Sequence, residues 1–71
     1  MKDVKEFLLN NGFKQKDRTN RYVNEVCSVS IEDNYYVVSN DNADVMYSNG
    51  LNIYWLIGVL TYYGYISKNY K

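Results

Sequence analysis

The chain has 71 residues, with eight basic and eight acidic side chains, nine Tyr, two Phe, one Trp, one Cys, and neither His nor Pro. Such a length holds one small domain, 1–71, and a small core: of the roughly 12,000 Å² an unfolded chain of this mass exposes, about 4,600 Å² stays in water after folding. An internal disulfide and a Cys/His metal site are excluded, the commonest general base near neutral pH is missing, and no excess of positive charge draws the chain to phosphate backbones.

The first segment, Asp3-Val4-Lys5-Glu6-Phe7-Leu8-Leu9-Asn10-Asn11-Gly12-Phe13, predicts a helix from about 3 to 11. Asp3 with Glu6 three residues on has the form of a capping box, and Val4, Phe7 and Leu8 share one face. Gly12 stands where a left-handed cap closes a helix, and Phe13 folds back onto Leu8 or Leu9. The opening Met1-Lys2-Asp3-Val4-Lys5-Glu6 is mixed in charge with no long apolar run after it, so it does not read as a secretory signal. A reducing cytoplasm is the expected compartment, which also suits the lone Cys.

Lys14, Lys16, Arg18 and Arg21 then fall close together, interrupted by Asp17. They read as a solvated loop or, in the alternative, as a phosphate-contacting patch assisted by Tyr22 or Tyr35. After Asn20 the period becomes two. Tyr22-Val23 is a brief strand, Asn24-Glu25 a turn, and Val26-Cys27-Ser28-Val29-Ser30-Ile31-Glu32 alternates, with Cys27, Val29 and Ile31 inward. Asp33-Asn34 forms a two-residue hairpin whose side chains tolerate positive φ. Its register opposes Ile31 to Tyr36 and Val29 to Val38 inside, and Glu32 to Tyr35 and Ser30 to Val37 outside. Tyr35 and Val37 are therefore apolar residues on the wet face.

Ser39-Asn40-Asp41-Asn42-Ala43-Asp44 is a polar turn, and Val45-Met46-Tyr47 a further strand. The oxygen ligands Asp41, Asn42 and Asp44 lack the loop length, central Gly and terminal Glu of a calcium-binding loop, so they read as a solvated turn. Asn52 then caps a helix, Ile53 to Tyr63, which Gly64 ends. Ile53, Leu56, Ile57 and Leu60 form its core stripe, while Tyr54, Trp55, Val59, Tyr62 and Tyr63 cover the other sides. About twelve apolar-to-amphipathic residues are too few for a bilayer span, which takes about twenty. The helix is thus either central or has a second adhesive face.

The architecture expected is α+β: an N-terminal helix, a three- to four-stranded antiparallel meander, and a C-terminal aromatic-rich helix, with both helices on one face of the sheet. The inner set is Val4, Phe7, Leu8, Phe13, Cys27, Val29, Ile31, Tyr36, Val38, Ile53, Leu56, Ile57 and Leu60. Cys27, in phase with Val29 and Ile31, reads as a buried thiol and not a nucleophile. The Tyr side chains admit three readings: rims of an undersized core, a protein interface, or platforms for bases. No catalytic residue, metal site or cofactor is called for. The leading expectation is a non-enzymatic interaction module that meets a protein partner, or itself as a homodimer, through Tyr54, Trp55, Val59, Tyr62 and Tyr63. The alternative is a nucleic-acid-binding accessory protein that uses Lys14, Lys16, Arg18, Arg21 and Tyr35.

The run Asp44-Val45-Met46-Tyr47-Ser48-Asn49-Gly50-Leu51-Asn52-Ile53-Tyr54-Trp55-Leu56-Ile57-Gly58, continued by Thr61-Tyr62-Tyr63-Gly64-Tyr65-Ile66, resembles small uncharacterised proteins encoded by phages and prophages of AT-rich bacteria. Phe7-Leu8-Leu9, Gly12-Phe13 and Cys27-Ser28-Val29-Ser30-Ile31 extend the likeness weakly over the chain. The resemblance brings no activity and no functional residue. It implies a setting, the cytoplasm of a bacterial host, in which small mobile-element proteins often act by binding larger proteins.

Overall fold

The structure, a computed structural model, describes residues 3–71. Met1 and Lys2, the start of the stretch read above for a leader, lie outside the described residues. The elements in order are α1 (Val4–Asn10), β1 (Lys14–Gln15), β2 (Arg21–Val23), β3 (Cys27–Ile31), β4 (Tyr36–Asn40), β5 (Val45–Tyr47) and α2 (Ile53–Tyr62). The strands form one antiparallel sheet in sequence order, so each pairs with its neighbour in the chain.

α1 begins where Asp3 accepts the Lys5 N–H at 3.0 Å, which satisfies one of the free donors of the first turn. The reciprocal half of the capping box is not made, because Glu6 is exposed and forms no hydrogen bond among the described residues. At the other end Gly12 adopts φ 90, and the Phe13 N–H reaches the Leu8 carbonyl at 3.0 Å, the long-range bond of a Schellman ending. That bond turns the chain so that Phe13 is buried beside Phe7 and Leu8.

The β3–β4 register is the one the alternation predicts: Val29 faces Val38, Ile31 faces Tyr36, and Ser30 faces Val37. The hairpin closes through the Glu32 N–H on the Tyr35 carbonyl at 2.9 Å. Neither Asp33 nor Asn34 takes a positive φ, however, so the tight turn does not use the mirror-image geometry expected of it. Val26 is exposed and outside the strand, because the Asn24 Oδ1 accepts both the Val26 and Cys27 N–H groups and bends the chain there.

The sheet has five strands instead of three or four. The added one, β1, folds back on β2 with Lys14 opposite Val23 and Gln15 opposite Tyr22. A tight turn makes this possible: Asp17 has φ 54, and Thr19 bonds the Lys16 carbonyl through both its N–H and its hydroxyl. On the other side of the sheet, Met46 pairs with Val38 and Tyr47 with Val37.

Phe7, Leu8 and Phe13 from the α1 region, Tyr22, Cys27, Val29, Tyr36 and Val38 from the sheet, and Ile53, Leu56, Ile57 and Leu60 from α2 make one core. Both helices therefore cover the same face. Two core members were not in the inner set: Tyr22, paired with Val29, and Ile66, which the Schellman ending of α2 swings inward. Val4 and Ile31 stand at the rim, only partly buried.

The β4–β5 turn, like the Asp17 turn, holds a non-glycine residue in the left-handed region. Ala43 sits at φ 65, pinned by its N–H on the Asn40 carbonyl, while the Asn40 Oδ1 accepts from the Asn42 and Asp44 N–H groups. An L side chain with a β-carbon there costs about 1–2 kcal/mol, partly offset in glycine by the entropy of its unfolded state. Ala43→Gly is expected to raise stability by about 0.5–1 kcal/mol in urea denaturation, whereas Asn42→Gly, at a position without that strain, is expected to lower it.

Candidate interaction surface

α2 starts at Asn52, whose Oδ1 accepts the Tyr54 N–H at 2.9 Å. It ends as a full Schellman motif: Gly64 at φ 73, its N–H on the Thr61 carbonyl at 3.1 Å, and the Tyr65 N–H on the Leu60 carbonyl at 2.8 Å. These fixed ends set the rotation of the helix. Ile53, Leu56, Ile57 and Leu60 point into the core, and the remaining positions divide between its two flanks and its crown.

Of the five residues assigned to an interface, three stand in solvent: Tyr54 is 78% exposed, Tyr62 82% and Tyr63 51%. Trp55 and Val59 are half-buried and pack against the core, contrary to their assignment as open surface. Helix geometry explains the split. At about 100° per residue, Trp55 and Val59 lie on the flank nearest β5, so the edge of the sheet shelters them. Tyr54 lies on the opposite flank.

Between the Trp55 and Val59 flank and β5 runs an open groove of about 460 Å³. Met46 and Tyr47 form one wall, and Trp55, Gly58, Val59, Tyr62 and Tyr63 the other. No lining side chain carries a formal charge. Tyrosine rings continue from both ends: Tyr35 lies 6.1 Å from Tyr47, Tyr62 meets Tyr63 edge-on at 4.9 Å, and Tyr63 stacks on Tyr65 at 5.7 Å. Tyr65 is anchored in turn, since its hydroxyl accepts from Asn40 Nδ2 and its carbonyl from Asn24 Nδ2, each at 3.0 Å. Tyr47, which was not assigned to the interface, lines the groove and is 66% exposed. The pairing of β5 with Val37 on the outer face is the signal that marks Tyr47. The chain exposes 5034 Å² in total, about 400 Å² above the surface expected of a compact chain of this mass.

The basic residues are divided. Strand alternation puts Lys14, Lys16 and Arg21 on the outer face of the sheet, with Lys16 and Arg21 beside Ser30 and Glu32. Arg18 turns to the other side, near Lys5, Gln15 and Tyr22. Tyr35 lies two strands away from Arg21, against Tyr47. Tyr22 is 2% exposed and roofed by the core, so it offers no face to a base. The Asp41, Asn42 and Asp44 cluster is an exposed turn shaped by Asn40.

Cys27 is buried beneath the sheet. Burial, and secondarily the negative charge of Asp41, pushes its thiol up from 9.0 to about 12. Burial raises the Tyr36 hydroxyl as well. A raised folded-state value favours the protonated thiol, so the stability it supports is complete below pH 9.0 and is lost as pH climbs toward about 12. The urea midpoint is expected to fall across that interval, and to fall less in Cys27→Ala, which keeps the raised Tyr36 hydroxyl but not the thiol. At neutral pH a thiol reagent is expected to label Cys27 no faster than the domain opens.

No family model, no curated protein and no solved structure matches this chain. What the groove and its tyrosines do is therefore read from their own chemistry.

Proposed function

We propose that the chain is a small non-enzymatic protein-interaction module, of phage or mobile-element origin, which binds a protein partner or a second copy through the surface formed by α2 and β5. The observation that carries this reading is the uncharged groove between Trp55 and Tyr47, continuous with the exposed Tyr62 and Tyr63. Tyrosine and tryptophan provide large contact area with few rotatable bonds, and they dominate the energetics of protein contacts. A groove without charge loses little on desolvation when a partner covers it.

The nucleic-acid alternative has weaker support. A single-strand platform joins a basic track to aromatic rings, and here Glu32 stands among the basic residues while Tyr35 belongs to the tyrosine group at the far strand. Binding of that kind also weakens steeply between about 50 and about 200 mM salt, which a tyrosine interface does not.

A photo-crosslinking side chain placed at position 62 tests the reading in bacterial cells, with position 5 on α1 as the control. Protein adducts from position 62 and none from position 5 are expected. Adducts to nucleic acid from position 16, with none to protein from 62, overturn it. The fold gives a companion result: Tyr62→Ser is expected to shift stability by no more than about 0.5 kcal/mol. Trp55→Ala, which uncovers the core edge, is expected to cost about 2 kcal/mol in thermal or urea unfolding.

A further inference from the structure

The two edges of the sheet differ. β1 is two residues long, begins with Lys14 and is followed by Lys16, the short and charged form that blunts strand addition. β5, Val45–Tyr47, has no charge and no Pro, and nothing among the described residues pairs with its outer side. Its backbone phase follows from its neighbours. The Asn40 N–H bonds the Asp44 carbonyl and the Ser48 N–H bonds the Tyr36 carbonyl, so Asp44, Met46 and Ser48 turn their backbone groups toward β4. Val45 and Tyr47 turn theirs outward.

We propose that a second copy of this chain adds its β5 antiparallel to this one, centred on Met46, so that the two sheets become continuous. The proposal rests on the reading of the α2–β5 surface as a protein interface and names its occupant. In this register the Val45 of each copy faces the Tyr47 of the other, and each such pair exchanges both its hydrogen bonds. A centre at Val45 would instead engage Ala43, whose positive φ ends the strand. The two-fold axis stands perpendicular to the sheet and leaves both helix layers on one side. The Trp55 and Val59 flank of α2, which lines the groove beside β5, then lies on the side of the helix toward the second copy.

Area bears on the same occupant: with about 200 Å² for a whole tyrosine, the exposed parts of Tyr47 and Tyr63 amount to about 230 Å², and Val45 and the β5 backbone add to this toward the roughly 800 Å² per partner that a stable interface takes. Because the lysine-bearing β1 edge does not take β5, the association closes at two copies.

The test uses the full chain. In the central pair of this register the two Met46 Cα atoms stand about 4.5 Å apart, within disulfide reach, and the buried Cys27 stays silent. Met46→Cys is expected to form a disulfide-linked dimer under mild oxidation, at least about tenfold faster than Leu9→Cys on exposed α1. Light scattering should give twice the 8.4 kDa chain mass. Val45→Pro removes only an outward N–H and is expected to weaken association by about tenfold or more with an unchanged circular dichroism spectrum. Val45→Lys serves if the proline variant does not fold.

A wild-type monomer at all concentrations, or equal crosslinking rates at 46 and 9, overturns the proposal. So does a dimer that survives Val45→Pro and Val45→Lys but is lost in Tyr62→Ser. In each of these cases position-62 adducts to another protein would leave the interaction reading standing.

Discussion

The pairing of Val29 with Val38 at the centre of the sheet is the contact on which the rest of the fold depends. Both are 0% exposed, and their alignment fixes which residues of four strands turn inward. Tyr22 is carried under the sheet because it faces Val29, and Met46 because it faces Val38. A slip of one residue would put Ser28 and Ser30 in the core and expose Cys27 and Val29, exchanging the two faces completely. Ser28 and Ser39, hydroxyls 2.7 Å apart on the outer face, reinforce the same alignment.

From that register follows a limit of coverage. α1 has seven residues and α2 has ten, enough to roof one face of a five-stranded sheet and no more. α1 sits over the β1 side, where the tail returns to it: Tyr70 meets Phe7 edge-on at 5.9 Å and the Lys71 N–H reaches Asn11 Oδ1 at 2.8 Å. α2 covers the middle and leaves a groove along β5. The side closed by α1 with Tyr70 and Lys71 bears lysines, and the side along β5 is uncharged and aromatic. A short chain that spends its helices on one face leaves apolar surface exposed elsewhere.

The sequence carried much of this plainly. Alternation from Cys27 to Ile31 gave the inner face and the hairpin register. Asn52, Gly12 and Gly64 marked the helix ends through the backbone groups they satisfy. β1 was not legible because Lys14-Gln15 shows no alternation; it exists because Asp17 accepts a left-handed conformation, which composition does not announce. Ile66 was hidden for a similar reason, since its burial depends on the direction in which a helix ending sends the chain. Among candidate site residues, Tyr54, Tyr62 and Tyr63 stand exposed while Trp55 and Val59 are half-buried, because exposure of a helix flank depends on which strand lies beside it, and helical periodicity holds no information about the neighbour.

The distribution of aromatic types bears on how such a surface persists. Both Phe are buried, at 1% and 2% exposure, whereas every strongly exposed ring is a Tyr. The two buried tyrosines, Tyr22 and Tyr36, sit on strands at the centre of the core. A phenylalanine in the groove would make the uncovered state adhesive toward any apolar surface. A tyrosine hydroxyl keeps a bond to water while the ring waits, and it can keep that bond at the rim after the ring is covered. In the proposed dimer the hydroxyls therefore lose little, and discrimination rests on what a generic apolar partner lacks, the outward backbone groups of Val45 and Tyr47.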